Sequence, residues 1–313
     1  MKVNCAFVFP GQGSQAPGMG ESFYKNSKIV RDLYKKAKER TGIDFKKLMF
    51  TYNSDLDKTE FSQPAIVLNC LSACAIMKDQ LVLKPKYVLG HSLGEVTALA
   101  CSGAIDTIDA VELVHKRGLL MAKACEGKDV GMLVVLNLPD EKVEELCQKA
   151  RDNGAQVWPV NYNTEGQIVV AGIKDDLLKL EQELKDAGAR RTIFLNMSVA
   201  SHCQLLESAV EPFKKELEKV ITDNFNAPVI SNVTAKPYSS AKEALELLPK
   251  QLISPVLYKQ SIKAIDDEID CYIEFGQGNI LKGLNRKLTK KPHFNISGIE
   301  SLEQTIEALK EFM

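Results

Sequence analysis

Among the residues able to do chemistry, Ser92 stands in the most telling surroundings. The stretch Lys86-Tyr-Val-Leu-Gly-His-Ser-Leu-Gly-Glu95 reads as a short apolar strand, a serine between two glycines, and the opening of an apolar helix. Gly90 and Gly94 carry no Cβ, so the chain can fold back sharply and lift the serine hydroxyl at a helix N-terminus. Leu93 N–H is then free to face a developing oxyanion. A bare G-x-S-x-G describes an ordinary strand-to-helix turn with a capping serine equally well. The hydroxyl is a poor nucleophile at its own pKa, so the catalytic reading needs a base within hydrogen-bond reach.

Four histidines are available for that task. His91 directly precedes Ser92, and neighbours around a sharp turn point apart, which gives it a structural or supporting place. His115 lies between Glu112 and Lys116 on the polar side of a predicted helix, where solvation is expected. His293 follows Lys290-Lys-Pro292 in a basic turn and is expected at the surface. His202, in Asn196-Met-Ser-Val-Ala-Ser-His-Cys-Gln204, falls where a strand end meets a new helix, and elimination makes it the candidate base, with a satisfied core histidine as the alternative. No acid accompanies it locally. A backbone carbonyl can fix an imidazole tautomer without an anion, and that suffices for an activated ester better than for an amide.

Arg117 gives the sharpest clue to the substrate. At about 100° per residue it shares one arc of its helix with Ala110, Val111, Leu113, Val114, Met121 and Ala124. A guanidinium on that face is buried, so it needs either an acidic side chain or an anionic ligand, and a carboxylate taken bidentately suits it best. Gln12, in the loop Pro10-Gly-Gln-Gly-Ser-Gln15 after the first strand, is a candidate second oxyanion donor through its backbone N–H, with a plain tight turn as the alternative. That loop lacks the full G-x-G-x-x-G spacing, which argues against a dinucleotide site.

These residues must be positioned by a sizeable scaffold. The chain has 313 residues, 45% of them hydrophobic, and a net charge of −1 with both signs mixed throughout, which gives no electrostatic footprint for nucleic acid or a membrane surface. The apolar run at the N-terminus is too short for a signal peptide, and no later stretch approaches 18 consecutive apolar residues; a cytoplasmic protein is expected. The eight cysteines are scattered without metal-ligand spacing and read as reduced, buried small hydrophobes. No metal or redox cofactor is expected.

Along the chain, a buried strand at Cys5–Phe9, an apolar helix at Pro64–Gln80 with proline in its first turn, the Tyr87–Leu89 strand, the Ser92 helix and an amphipathic helix near Thr107–Cys125 belong to one α/β pattern. Residues 131–197 then read strand, helix, strand, strand, helix, strand, the order of a ferredoxin-like unit. The first pattern resumes with a helix near Glu207–Leu217, strands at Pro228–Asn232 and Tyr272–Phe275, a Gly276-Gln-Gly278 turn into a helix, then the Phe294–Ile299 strand and the Leu302–Phe312 helix. The expected architecture is an α/β-hydrolase-like large domain with a parallel sheet (1–127 and 199–313) and an inserted ferredoxin-like βαββαβ small domain (128–198).

Taken together, Phe9-Pro-Gly-Gln-Gly-Ser-Gln15, Gly90-His-Ser-Leu-Gly-Glu95, Arg117, Ser201-His-Cys203 and Gln251-Leu-Ile-Ser-Pro-Val256 resemble the malonyl-CoA:acyl carrier protein transacylases over essentially the whole chain. The resemblance implies Ser92 as nucleophile, His202 as base, Arg117 as the clamp on a malonyl carboxylate, Gln12 and Leu93 as oxyanion donors, and Gln251 orienting His202 through its main-chain carbonyl. It also implies that Asn161 and Asn163 line the cleft, with His91, Ala200 and Ser201 beside them. The partners implied are malonyl-CoA and an acidic acyl carrier protein. The carrier would dock near Lys282, Arg286 and Lys287 in the densest basic run, though a solvated helix end would carry the same charges. Fatty acid biosynthesis and a monomer are implied; a free-standing polyketide-pathway acyltransferase or a serine hydrolase of acyl thioesters are the alternatives. Two positions depart from the pattern. Ala200 stands where such enzymes often carry proline, next to positions that related polyketide acyltransferases use to choose extender units, so a smaller wall would admit a branched acyl group. Gln277 also replaces a common proline, with only a loop effect expected.

Overall fold

The structure, a computed structural model, describes residues 3–312. Two sheets organise it. The larger has the strand order β10-β9-β1-β2-β7-β8, in which β1 (Cys5–Phe9), β2 (Tyr87–Gly90), β7 (Val229–Ile230), β9 (Cys271–Phe275) and β10 (His293–Ile296) run parallel and β8 (Pro237–Tyr238) pairs antiparallel at one edge. β1 and β9 are buried along their whole length, as expected of parallel strands covered on both faces. The smaller sheet, β3 (Val130–Leu136), β4 (Val157–Thr164), β5 (Gln167–Ile173) and β6 (Arg191–Phe194), is antiparallel in the order β4-β5-β3-β6, the ferredoxin-like arrangement that the alternation of elements predicts.

Helices cover these sheets. α1 (Glu21–Asn26), α2 (Lys28–Thr41), α3 (Phe45–Met49), α4 (Thr59–Gln80), α5 (Leu93–Ser102) and α6 (Thr107–Ala124) belong to the first part of the chain. α7 (Asp140–Asp152) and α8 (Lys174–Asp186) pack on one face of the smaller sheet through Leu133, Val135, Val143, Leu177 and Leu184. α9 (Glu207–Glu218), α10 (Ala241–Gln251), α11 (Tyr258–Ile265), α12 (Ile280–Asn285) and α13 (Ile299–Phe312) complete the set. The sequence reading assigns no element to residues 21–49 or 241–265. Signals for α2 are nonetheless present: Ser27 accepts Val30 N–H at the start, and Gly42 ends it in the left-handed region.

Three sequence expectations need correction. The apolar helix begins at Thr59, so Pro64 lies inside it rather than in its first turn. An internal proline leaves the carbonyl four residues back without its N–H partner, here Glu60 O. His115 Nδ1 donates to that carbonyl at 2.7 Å, so His115 is a half-buried brace between α4 and α6, not a solvated side chain. His293 is not at the surface either; it begins β10, its side chain is only 5% exposed, and its Nε2 lies 3.7 Å from the buried Glu274 carboxylate. Burial in the first place, then the charges of Lys282 and Arg286, depress it to about 3. Among the described residues one helix, α4, is long and apolar enough to cross a membrane, and 83% of its apolar window is packed inside the fold. All eight cysteines are free and buried.

Candidate active site

A cleft of about 360 Å³ opens where the loops after β1, β2 and β9 face the smaller sheet. Gln12, His91, Ser92, Leu93, Arg117, Ser201 and His202 line it from one side, and Asn161 and Asn163 from the other. Alternation along the strands explains the far wall: Met132 and Val134 of β3 face the cleft, while Leu133 and Val135 face α7 and α8.

Ser92 sits at a tight elbow with φ 53° and ψ −105°, a backbone conformation that L-residues rarely adopt. The elbow closes only because of its glycines. A Cβ on Gly90 would lie 1.9 Å from the Gly94 carbonyl carbon, and one on Gly94 would lie 2.0 Å from Phe9 O. Asn232, in the turn just after β7, holds the bend from both sides: its Oδ1 accepts Ser92 N–H at 2.7 Å and its Nδ2 donates to Gly90 O at 2.7 Å. Because Ser92 N–H is taken, the next N–H, that of Leu93, is the first at the helix N-terminus without an intrahelical partner. Gln12 reaches the same space, its side chain tied to Thr59 Oγ1 at 3.1 Å.

Ser92 Oγ lies 2.6 Å from His202 Nε2, and His202 Nδ1 donates to the main-chain carbonyl of Gln251 at 2.7 Å. That second bond fixes the tautomer, so Nε2 carries a lone pair toward the hydroxyl. His202 is depressed to about 3, by burial first and then by the charge of Arg117, and is therefore neutral at any ordinary pH. A carbonyl thus occupies the place an acid takes in a full triad.

Arg117 is 1% exposed. Its Nη1 donates to Gln63 Oε1 at 2.9 Å, and Nη2 to Gln251 Oε1 at 3.1 Å and to Ser92 Oγ at 3.3 Å, while Nε is buried without a partner. All three partners are neutral oxygens. Burial lowers the guanidinium to about 10, and the charge of Glu95 opposes that shift, so Arg117 stays cationic. A cation held beside a nucleophile without a hydrogen-bonded carboxylate can receive an anionic group.

Some expected residues sit elsewhere. Ala200 does not line the cleft: it is fully buried in the main core, while the next two residues, Ser201 and His202, face the cleft. Gln251 lies beneath the cleft at the end of α10, fully buried. His91 is half-buried at the cleft wall, Nε2–H donating to Asn163 Oδ1 at 2.8 Å, which ties the elbow to β4. Burial lowers its pKa. Lys282, Arg286 and Lys287 lie on and just after α12, whose Ile280, Leu281 and Leu284 form one wall of the cleft. Gln63, Glu95, Asn232 and Tyr238 were not singled out as site residues by sequence. Glu95 alone carried a signal, as the last residue of the Gly90–Glu95 motif.

Residues 6–287 match the family described as "Acyl transferase domain". The chain belongs to that family. A malonyl CoA-acyl carrier protein transacylase of Bacillus subtilis is 33% identical over 309 residues, covering 98% of this chain and 97% of the relative. The crystal structure of a malonyl-CoA:acyl carrier protein transacylase from Helicobacter pylori aligns over 100% of both chains with a TM-score of 0.96 and 42% identity. A malonyl-transacylase in complex with its type II PKS acyl-carrier protein aligns with a TM-score of 0.93 and 31% identity, covering 97% of this chain and 99% of that one. Among the described residues no cluster of three His, Cys, Asp or Glu side chains could hold a metal ion.

Proposed function

We propose that this acyltransferase moves a malonyl group from malonyl-CoA to the phosphopantetheine thiol of an acyl carrier protein, in fatty acid biosynthesis. The single observation that carries the reading is Ser92 Oγ held between a neutral imidazole at 2.6 Å and a buried guanidinium without a carboxylate partner at 3.3 Å. A nucleophile beside an anion receptor suits an acyl group with a free carboxylate.

In the first half-reaction His202 Nε2 takes the Ser92 proton as Oγ bonds to the thioester carbon. The oxyanion of the tetrahedral intermediate accepts from Gln12 and Leu93 N–H, at the positive end of α5. The C–S bond then breaks, His202 gives its proton to the departing sulfur, and a malonyl-serine ester remains. In the second, the carrier thiol enters, loses its proton to His202 and attacks the ester carbon, and the serine oxygen leaves with that proton. Arg117 holds the malonyl carboxylate throughout; an acetyl group would leave the guanidinium charge buried and unpaired.

The basic side chains Lys282, Arg286 and Lys287 support a docking surface for an acidic carrier, because their helix also walls the cleft. The likeness to a transacylase bound to a type II PKS carrier supports the same chemistry with a polyketide carrier as acceptor. Intact mass after incubation with malonyl-CoA tests the proposal. The expected result is an adduct of malonyl mass on Ser92 that persists in buffer and is lost on adding acyl carrier protein; rapid loss in buffer alone would mark a hydrolase instead.

A further inference from the structure

Gln251 has a second set of contacts, made by its side chain. The amide Nε2 faces Glu95 Oε2 at 2.7 Å, Ser92 O at 3.0 Å and Asn232 Oδ1 at 3.3 Å, and the amide Oε1 faces Arg117 Nη2 at 3.1 Å. A main-chain carbonyl can only accept, Glu95 Oε2 is already the acceptor of Asn232 N–H, and a guanidinium can only donate. The amide therefore has one acceptable orientation. The strongest of the acceptors is Glu95, fully buried on α5 one turn after Ser92, whose Oε2 also takes Asn232 N–H at 3.0 Å and whose Oε1 takes the Tyr238 hydroxyl at 3.0 Å.

We propose that Glu95 is a positioning residue for acyl selection: by fixing the Gln251 amide it turns Oε1 onto Arg117 and holds the guanidinium where the free carboxylate of a malonyl group is received. The inference rests on the reading of Arg117 as the carboxylate anchor. Gln63 holds the guanidinium from the α4 side, and the Glu95–Gln251 pair holds it from the α10 side. What Glu95 contributes is the reach of Oε2. A glutamine at position 95 can keep an oxygen there and set its NH2 against Tyr238, whose hydroxyl turns to accept. An aspartate keeps the carboxyl group and withdraws its oxygens by about 1.5 Å, one C–C bond.

The test is the ratio of kcat/KM for malonyl-CoA to that for acetyl-CoA. Arg117→Ala checks the anchor: a wild-type enzyme without malonyl preference, or a ratio that survives this change, overturns the anchor and this inference with it. Where the anchor holds, Glu95→Asp is expected to lower the ratio about tenfold, chiefly through KM, and Glu95→Gln to keep it within about twofold. Gln251→Met, which retains the main-chain carbonyl under His202, is expected to lower the ratio as far as Glu95→Asp, and the double variant no further. Gln251→Met also carries the test should Glu95→Asp fail to fold. A ratio unchanged in Gln251→Met or in folded Glu95→Asp overturns the proposal, and so does a loss in Glu95→Gln that Glu95→Asp is spared.

Discussion

His202 is a usable base because of what surrounds it. Burial, then the Arg117 charge, carry it from its ordinary 6.5 to about 3, while the bond to Gln251 O pulls weakly the other way. A base works when unprotonated, so serine acylation in the free enzyme stays flat as pH falls from 8 to about 5, instead of halving near 6.5. Arg117→Ala removes the second-largest of the depressing causes and raises the acid limb; acetyl-CoA is the donor to use, since malonyl loses its anchor. The measurement is kcat/KM against pH in wild type and in Glu95→Gln, because burial raises the Glu95 carboxyl to about 7; a limb near 6.5 in both would mean that His202 is hydrated and not the buried neutral base described. The same reasoning gives a bound malonyl carboxylate a second effect: by offsetting the guanidinium it makes His202 a stronger base when the right substrate is present.

At the scale of elements, the anchor depends on how closely α4 and α6 approach. Gly118 follows Arg117, and a Cβ there would meet Glu60 Cα at 2.7 Å and Thr59 O at 2.8 Å, both backbone atoms that cannot step aside. Alanine ordinarily stabilises a helix over glycine by about 1 kcal/mol. Here overpacking wins: Gly118→Ala should cost about 1–3 kcal/mol by denaturant melts. It should also raise KM for malonyl-CoA, because spreading the helices pulls Arg117 Nη1 from Gln63 Oε1. A melt at or above wild type would show that the helices yield freely. Arg117 was legible as buried from its arc on α6, and the elbow from its two glycines. Pro64 and His115 were misplaced for one shared reason, since each is explained only by the other, across 51 residues of sequence (115 − 64). Glu95 was hidden in the same way: its donors are Asn232, Tyr238 and Gln251, and no local pattern announces them.

At the scale of the whole molecule, the cleft exists only while the two sheets keep their places, and two features tie them in addition to the His91–Asn163 hydrogen bond. β4 continues into the larger part through an isolated bridge, Val256 N–H donating to Val160 O at 2.8 Å and Tyr162 N–H to Val256 O at 3.0 Å. Directly after it, α11 offers Lys259, whose Nζ donates to Asp140 at the start of α7 and, at 3.1 Å, to Glu165 in the β4–β5 turn. Lys259 and Asp140 are each under a tenth exposed, whereas the Glu165 side chain is 67% exposed and contributes little. Removing one member of a buried pair strands the other charge, so Lys259→Met should cost about 3–5 kcal/mol in unfolding free energy. Lys259→Met with Asp140→Asn should recover more than half of that loss, because no buried charge is left without a partner. A single variant losing under about 1 kcal/mol would mean that water reaches Asp140 and that this clasp adds little to the hold between the sheets. The double variant separates stability from chemistry: Ser92, His202 and Arg117 do not touch this clasp, so in the recovered protein malonyl loading should return with the fold.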